Sequence, residues 1–274
     1  MTTPDRPLPA PANTATLVSI AVPVYNIARF LPQALDSLLA QDHAQWEALL
    51  WDDGSTDGSG EIAAGYARRD PRFRVLGNGR NNGIGVALAS ALEDARGSHV
   101  GVLDGDDLLE PDALSSMLAF MAERPHLDMA YSQHIEIDED GNALGLGNRS
   151  RAPYSPYRLL LEFMTYHLRL IRTDAYRAVG GFDPSMDVSA DYDLCLRLSE
   201  RCEIAHLPRA LYRYRVRRDS VSQGSRLRQV RASFAAAQRA VQRRGMDKSH
   251  ALSLGLRARH VLRRKDATPL GESP

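Results

Sequence analysis

The run LVSIAVPV at residues 17–24 is short, apolar and β-branched, and the segment that follows, 28–40, places Phe30, Leu31, Ala34, Leu35, Leu38 and Leu39 at helical spacing. These two periods predict strand, turn, helix. The unit recurs along the chain, with a strand at 46–51, a helix at 58–69, a strand at 73–76, a helix at 84–95 and a strand at 99–103. Strands that alternate with helices predict an α/β fold with a Rossmann-like, mostly parallel central sheet flanked by helices on both faces.

The rhythm changes after Asp104. A helix is expected over 111–123, with Pro111 in its first turn, and an alternating strand over 128–137. Next come a turn or mobile loop at 141–147, a helix at 154–163, and a strand at 167–171 leading to a short helix that stops at Gly180-Gly181. A helix at 191–200 and short strands at 203–206 and 211–216 complete this part. Residues 227–244 read as a basic helix whose Val230, Phe234, Ala237 and Val241 form one stripe for packing on the domain. Four prolines among residues 1–15, with little apolar content, predict a disordered leader.

Charge then adds an asymmetry. The chain of 274 residues balances 34 Lys+Arg against 34 Asp+Glu, which argues against a nucleic-acid binder. Residues 225–274 nevertheless hold 12 Lys/Arg against 3 Asp/Glu, a net of +9 that leaves −9 on the remainder. The basic tail is therefore a candidate for peripheral membrane contact or self-association. Cys195 and Cys202 are too few for a disulfide scaffold and suit a reducing, cytoplasmic setting. No run approaches the roughly 18 to 20 apolar residues of a membrane span, and the start lacks a signal-peptide pattern, so a soluble or surface-attached protein is expected.

In an open parallel sheet, ligands bind beyond the carboxyl ends of the strands. The polar clusters fall there: Pro23-Val24-Tyr25-Asn26 after the first strand, Asp52-Asp53-Gly54-Ser55 after the second, and Asp104-Gly105-Asp106-Asp107 after the fourth. One Asp-Gly-Ser is an ordinary turn. Three carboxylates within four residues repel one another unless a cation or hydrogen-bond donors compensate them, and a hard divalent ion favours such oxygens. No Cys/His set has zinc spacing, and Gly83-Ile84-Gly85 is too short for a dinucleotide fingerprint, which places zinc hydrolysis and hydride transfer low.

The ordered motifs VSIAVPVYN, LLWDDGSTDGS, NNGIGVALASAL and GVLDGDDLLEPDAL resemble the nucleotide-sugar-binding half of a family 2 glycosyltransferase with the GT-A fold. The likeness continues through Gly180-Gly181-Phe182-Asp183, Ala190-Asp191-Tyr192-Asp193 and LYRYRVRRDSVS, covering about residues 17–223. Between the disordered leader at 1–15 and the basic helical tail at 225–274, it implies a nucleotide-sugar-binding half at 16–110 and an acceptor and base half at 111–224. By similarity, Pro23 and Tyr25 line the nucleotide base beside Asn26, and Asp53 accepts from its ring NH. The Asn82-Gly83 turn lies near the sugar and diphosphate. Asp104 and Asp106, flanking Gly105, form a DxD motif, with Asp106 on a Mg²⁺ or Mn²⁺ ion and Asp107 facing the donor sugar. Asp191 matches the general base.

The implied chemistry is direct displacement, with inversion, from a nucleotide-diphosphate sugar, UDP preferred, to a hydroxyl of a carbohydrate, lipid-linked or small-molecule acceptor. Two residues depart from the family pattern. Ala190 replaces the usual Glu before the base, and Arg217 stands where a His is frequent, so a charge contact to the diphosphate would replace ligation. His167 could meet the acceptor or be structural. A non-catalytic nucleotide-sugar-binding or scaffold protein of the same fold is the alternative. A sugar-phosphate nucleotidyltransferase would need a glycine-rich, arginine-containing loop where Pro23-Val24-Tyr25 sits.

Overall fold

The computed structural model describes residues 16–217 and 226–255. The predicted leader, the end of the LYRYRVRRDSVS motif and the last part of the tail lie outside these residues. Four parallel strands form the first half of the sheet: β1 (Val18–Val24), β2 (Trp46–Asp52), β3 (Phe73–Leu76) and β4 (His99–Val102), in the order β3-β2-β1-β4. Helices α1 (Leu31–Leu39), α2 (Ser59–Arg69) and α3 (Ile84–Glu93) connect them.

Both faces of these strands are covered, which is why they read as apolar runs rather than alternations. Ile20, Val22 and Val24 of β1 pack with Leu31, Leu35 and Leu38 of α1 on one face. On the other face Ala21 and Leu49 meet Leu88, Ala91 and Leu92 of α3. The register pairs Val24 with Asp52 and Ala21 with Val102, so the first, second and fourth strands release their acidic and polar ends at one edge.

The remaining elements are β5 (Leu108–Leu109), α4 (Ala113–Ala122), β6 (Met129–Ile137), β7 (Ala143–Leu146), β8 (Arg169–Arg172), α5 (Thr173–Ala178), α6 (Ala190–Leu198), β9 (Ile204–Arg215) and α7 (Arg226–Arg243). They extend the same sheet to nine strands in the order β3-β2-β1-β4-β8-β6-β9-β5, with β7 on β6. β8 runs antiparallel to β4, so its start arrives beside the end of β4.

Three expectations are corrected here. The loop at 141–147 contains β7, which pairs antiparallel with β6 although its residues are exposed; Gly141, Gly145 and Gly147 read as turn signals. Segment 154–163 holds only a 3₁₀ turn, Arg158–Leu160, in place of the expected α-helix. The two strands expected at 203–206 and 211–216 are one strand, β9, whose register jumps from Leu207 to Ala210 against Ser132 and Gln133. Pro208 sits in that irregularity, where no ladder N–H is needed.

The tail helix α7 lies on α6, burying Ala236, Ala237, Ala240 and Val241, whereas Val230 of the expected stripe is exposed. Its basic charge meets the acidic body: Arg239 pairs with Asp193 at 3.1 Å, Arg243 with Glu200 at 2.8 Å, and Arg228 with Asp187. Cys195 and Cys202 are both free thiols. Among the described residues no helix is long and apolar enough to cross a membrane.

Candidate active site

At the sheet edge, the Asp53 N–H continues the strand pairing by donating to the Val24 carbonyl at 2.9 Å. Its carboxylate is buried and accepts the backbone N–H groups of Asn82 and Gly83, each at 2.9 Å. Asp53, expected to face a nucleobase, is thus also the anchor of the loop that leads into α3. Gly83 has φ 89°, ψ 163°, a backbone region that side chains disfavour. The Asn82 amide ties the loop to itself through Asn78 Oδ1 (3.0 Å) and the Arg80 carbonyl (2.9 Å).

Tyr25 leaves its ring half exposed above this edge. Asn26, in the left-handed region at φ 50°, accepts the Thr56 N–H at 2.9 Å and so joins the ends of β1 and β2. Pro23 pairs with Trp51, and its carbonyl lies beside Gly105, where an added Cβ would also collide with Ile27. Gly105 lets the loop after β4 press against the loop after β1.

Asp104 follows in that loop. Its N–H donates to the Tyr212 hydroxyl at 3.1 Å, and its Oδ2 lies 3.5 Å from His167 Nε2. Desolvation, then repulsion from Asp106 and Asp191, push the Asp104 carboxyl above the usual range, with Arg169 opposing. His167 is buried and stacked on Tyr212 at 4.6 Å, beside Tyr166 at 4.7 Å. Burial, reinforced by Arg169, holds its imidazole well below the usual value, so it is neutral near pH 7. The Asp106 carboxylate pairs with Arg217 Nη1 at 2.8 Å.

Asp107 is the residue expected to face a donor sugar. Its buried carboxylate accepts the Tyr212 hydroxyl at 2.8 Å and the Arg215 N–H at 2.6 Å, bolting the β4 loop to β9. Arg215 completes the bolt, donating to the Asp106 carbonyl at 2.7 Å and the Glu139 carbonyl at 2.8 Å.

Asp191 stands in the first turn of α6, where a carboxylate is favoured by the helix dipole. The N-cap itself is Ser189, at φ 61° and without a side-chain cap bond. Asp191 keeps 29% of its side-chain surface open, accepts the Tyr192 N–H at 2.8 Å through Oδ1, and turns Oδ2 to Arg169 Nη1 at 3.4 Å. Arg169, from β8, is buried, donates to the Thr165 carbonyl at 3.0 Å, and acts electrostatically on Asp104 as well. Sequence reasoning passed over Arg169. Its signal was an arginine inside the apolar strand LRLI, where a charge is retained only with a partner.

The structure therefore gathers Asp104, Asp106, Asp191, Arg169, Arg217 and His167 at one edge, next to the Pro23, Tyr25, Asn26, Asp53, Asn82 and Gly83 surface. Among the described residues no group of three or more His, Cys, Asp or Glu side chains is arranged to hold a metal alone. Asp104 and Asp106 instead suit an ion that takes its other oxygens from a substrate diphosphate. The mutual repulsion felt by Asp104 is the kind of imbalance such an ion relieves.

The family model of Glycosyl transferase family 2 matches residues 19–180. Chondroitin synthase of Escherichia coli is 33% identical over 196 residues, which cover 72% of this chain and 28% of the synthase. The chain spans between 21% and 28% of the length of the curated synthases it matches. Among solved structures, S. aureus TarS 1–349 in complex with UDP superposes with a TM-score of 0.66 at 20% identity, covering 82% of this chain and 65% of that one. The mannosyltransferase PcManGT of Pyrobaculum calidifontis, in complex with GDP-Man and Mn²⁺, gives 0.59 at 18% identity over 89% of this chain and 80% of that one. The family match takes in β1 through α5, including all three acidic or polar strand ends, and on that ground the chain belongs to glycosyl transferase family 2.

Proposed function

We propose that the protein transfers a sugar from a UDP-linked donor to an acceptor hydroxyl with inversion at the anomeric carbon, and that Asp191 is the general base. The observation that carries this reading is the placement of a partly open carboxylate, Asp191, at a helix N-terminus within electrostatic reach of Asp104 at the donor edge. One base on one side of the sugar and a departing diphosphate on the other describe a single displacement. The UDP complex of TarS supports the choice of nucleotide, and the GDP-Man and Mn²⁺ complex of PcManGT supports a metal on this fold.

The residues divide the work. Tyr25 offers a ring to the base, the Asp53-anchored loop shapes the donor edge, and Asp106 with Asp104 would hold Mg²⁺ or Mn²⁺. When bound, that ion offsets charge developing on the leaving diphosphate. Arg217, 2.8 Å from Asp106, is placed to give the diphosphate a permanent charge contact. Arg169 faces Asp191 Oδ2 and the Tyr192 N–H holds Oδ1, and the solvent-open part of the carboxylate would take the acceptor proton. The acceptor is a carbohydrate, a lipid-linked sugar or a small molecule.

Incubation with UDP-, GDP- and dTDP-sugars, with Mn²⁺ or Mg²⁺ and candidate acceptors, tests this directly. Transfer or slow donor hydrolysis is expected with a UDP-sugar, and proton NMR of the product should show the opposite anomeric configuration. Retained configuration would remove the single-displacement mechanism. Donor binding without any turnover would favour the non-catalytic alternative.

A further inference from the structure

We infer that the C-terminal helix α7 is the positioning element for Asp191, with Ser233 and Arg239 as its positioning residues; the inference rests on the reading of Asp191 as base. The argument begins at Ser189. A serine at a helix N-cap ordinarily turns its hydroxyl to the first-turn N–H groups. Here it makes no cap bond, occupies the left-handed region at φ 61°, and instead pairs with the Ser233 hydroxyl of α7 at 2.9 Å. A non-glycine residue in that conformation persists where its surroundings hold it. The backbone two residues before Asp191 is therefore held from outside α6.

Two residues past Asp191 the arrangement repeats. Asp193 is buried on α6, and its carboxylate is held between Arg197 of the same helix at 2.8 Å and Arg239 of α7 at 3.1 Å. Arg239 also reaches Met186 Sδ at 3.5 Å, in the loop that leads to Ser189. On its other side that loop lies against α3, where a Cβ on Gly85 would collide with the Met186 carbonyl. The base loop is thus clasped between α7 and the first turn of the helix that follows the Asn82-Gly83 turn. Asp191 sits between two fastenings, and each ends on α7. Both α6 and α7 lie C-terminal to residues 19–180, the span matched by the family model.

The physical consequence is specific. A displacement of about 1 Å at a reacting group can cost on the order of 10²-fold in rate, whereas among the described residues Asp53, Asn82 and Gly83 bond to one another rather than to α7. Loss of the clasp should lower turnover and spare donor affinity.

The test compares Ser233→Ala, Arg239→Ala and their double variant with Ser233→Thr and Arg239→Lys in the full chain. In hydrogen exchange, the amides of 187–193 should exchange at least tenfold faster in the double variant, while UDP affinity by calorimetry stays within twofold. With the UDP-sugar that the wild type turns over, kcat should fall about tenfold at unchanged donor KM, and the Thr and Lys variants should recover most of it. Wild-type exchange at 187–193 in the double variant would overturn the inference, as would an unchanged kcat. Asp191→Asn, measured alongside, separates the two readings: an inactive Asn variant with a fully active double variant removes only the clasp, and an active Asn variant removes the base.

Discussion

Arg217 Nη1 lies 2.8 Å from Asp106 Oδ2, so the chain supplies its own cation to the carboxylate proposed to carry the metal. On the proposed reading, Arg217 would compete with the ion in the free protein and pair with the diphosphate in the complex. Arg217→Ala should tighten Mn²⁺ binding in the absence of nucleotide by about tenfold, equivalent to ~1.4 kcal/mol, while slowing transfer. Asp106→Ala should abolish transfer and remove the metal-dependent part of UDP binding. Titration calorimetry with Mn²⁺ and with UDP reads both effects, and a metal response identical to wild type in Asp106→Ala would end the assignment.

A second expectation concerns Asp191 and the arginine behind it. Asp191→Asn keeps the shape and removes the proton acceptor, so transfer should slow by roughly 10² to 10⁴ with donor affinity unchanged. Arg169→Lys retains a charge but loses the planar fork that bonds the Thr165 carbonyl and faces Asp191. It should fall between wild type and Asp191→Asn in kcat. Steady-state kinetics on the two variants would contradict this ordering if Arg169→Lys were the slower enzyme.

Asp107 gives a contrast within the same motif. Asp107→Ala would leave the buried Tyr212 hydroxyl and the Arg215 N–H without their acceptor. Each such loss costs about 1 to 3 kcal/mol, so thermal denaturation should shift down by several degrees while the donor KM barely moves. A raised donor KM at unchanged melting temperature would instead place Asp107 against the sugar.

Acid should loosen the fold through its buried histidines. Burial lowers His99 to about 4, helped by Arg172, and burial lowers His134 to about 4, helped by Arg149. The unfolded chain, near 6.5, takes up these protons first as pH falls. The stabilisation is therefore complete above about pH 6.5 and is lost progressively toward pH 4, on the order of 2 kcal/mol per group. Urea midpoints at pH 7.5 and pH 5 should show this decline, and His99→Gln should flatten it.

What the sequence reveals about this molecule follows the range over which each signal acts. The donor edge is legible because an apolar strand and its terminal acidic cluster are adjacent in the chain, as in Val102 to Asp107. Asp191 is singled out by its motif, Ala190-Asp191-Tyr192-Asp193, and stands in the first turn of α6. The role of Asp107 is not, because Tyr212 and Arg215 reach it from more than 100 residues away. Arg169 is set by the cross-strand arrangement of β4 and β8, and β7 by backbone pairing alone. The helix expected at 154–163 shortens to the single 3₁₀ turn Arg158–Leu160, a difference that apolar spacing alone does not signal.

The anchoring of Asn82 and Gly83 by Asp53 has a kinetic meaning. With both N–H groups already held at 2.9 Å, this loop would need no ordering step to receive a nucleotide as proposed. Association should then be a simple one-step encounter, and substitutions along this edge should register mainly in how fast UDP leaves. Asp53→Asn would replace one acceptor oxygen by a donor and release one end of the turn. Nucleotide capture would become coupled to loop ordering, visible in stopped-flow as a slower, saturating association phase, because the entropy now settled within the protein would be lost at the moment of binding.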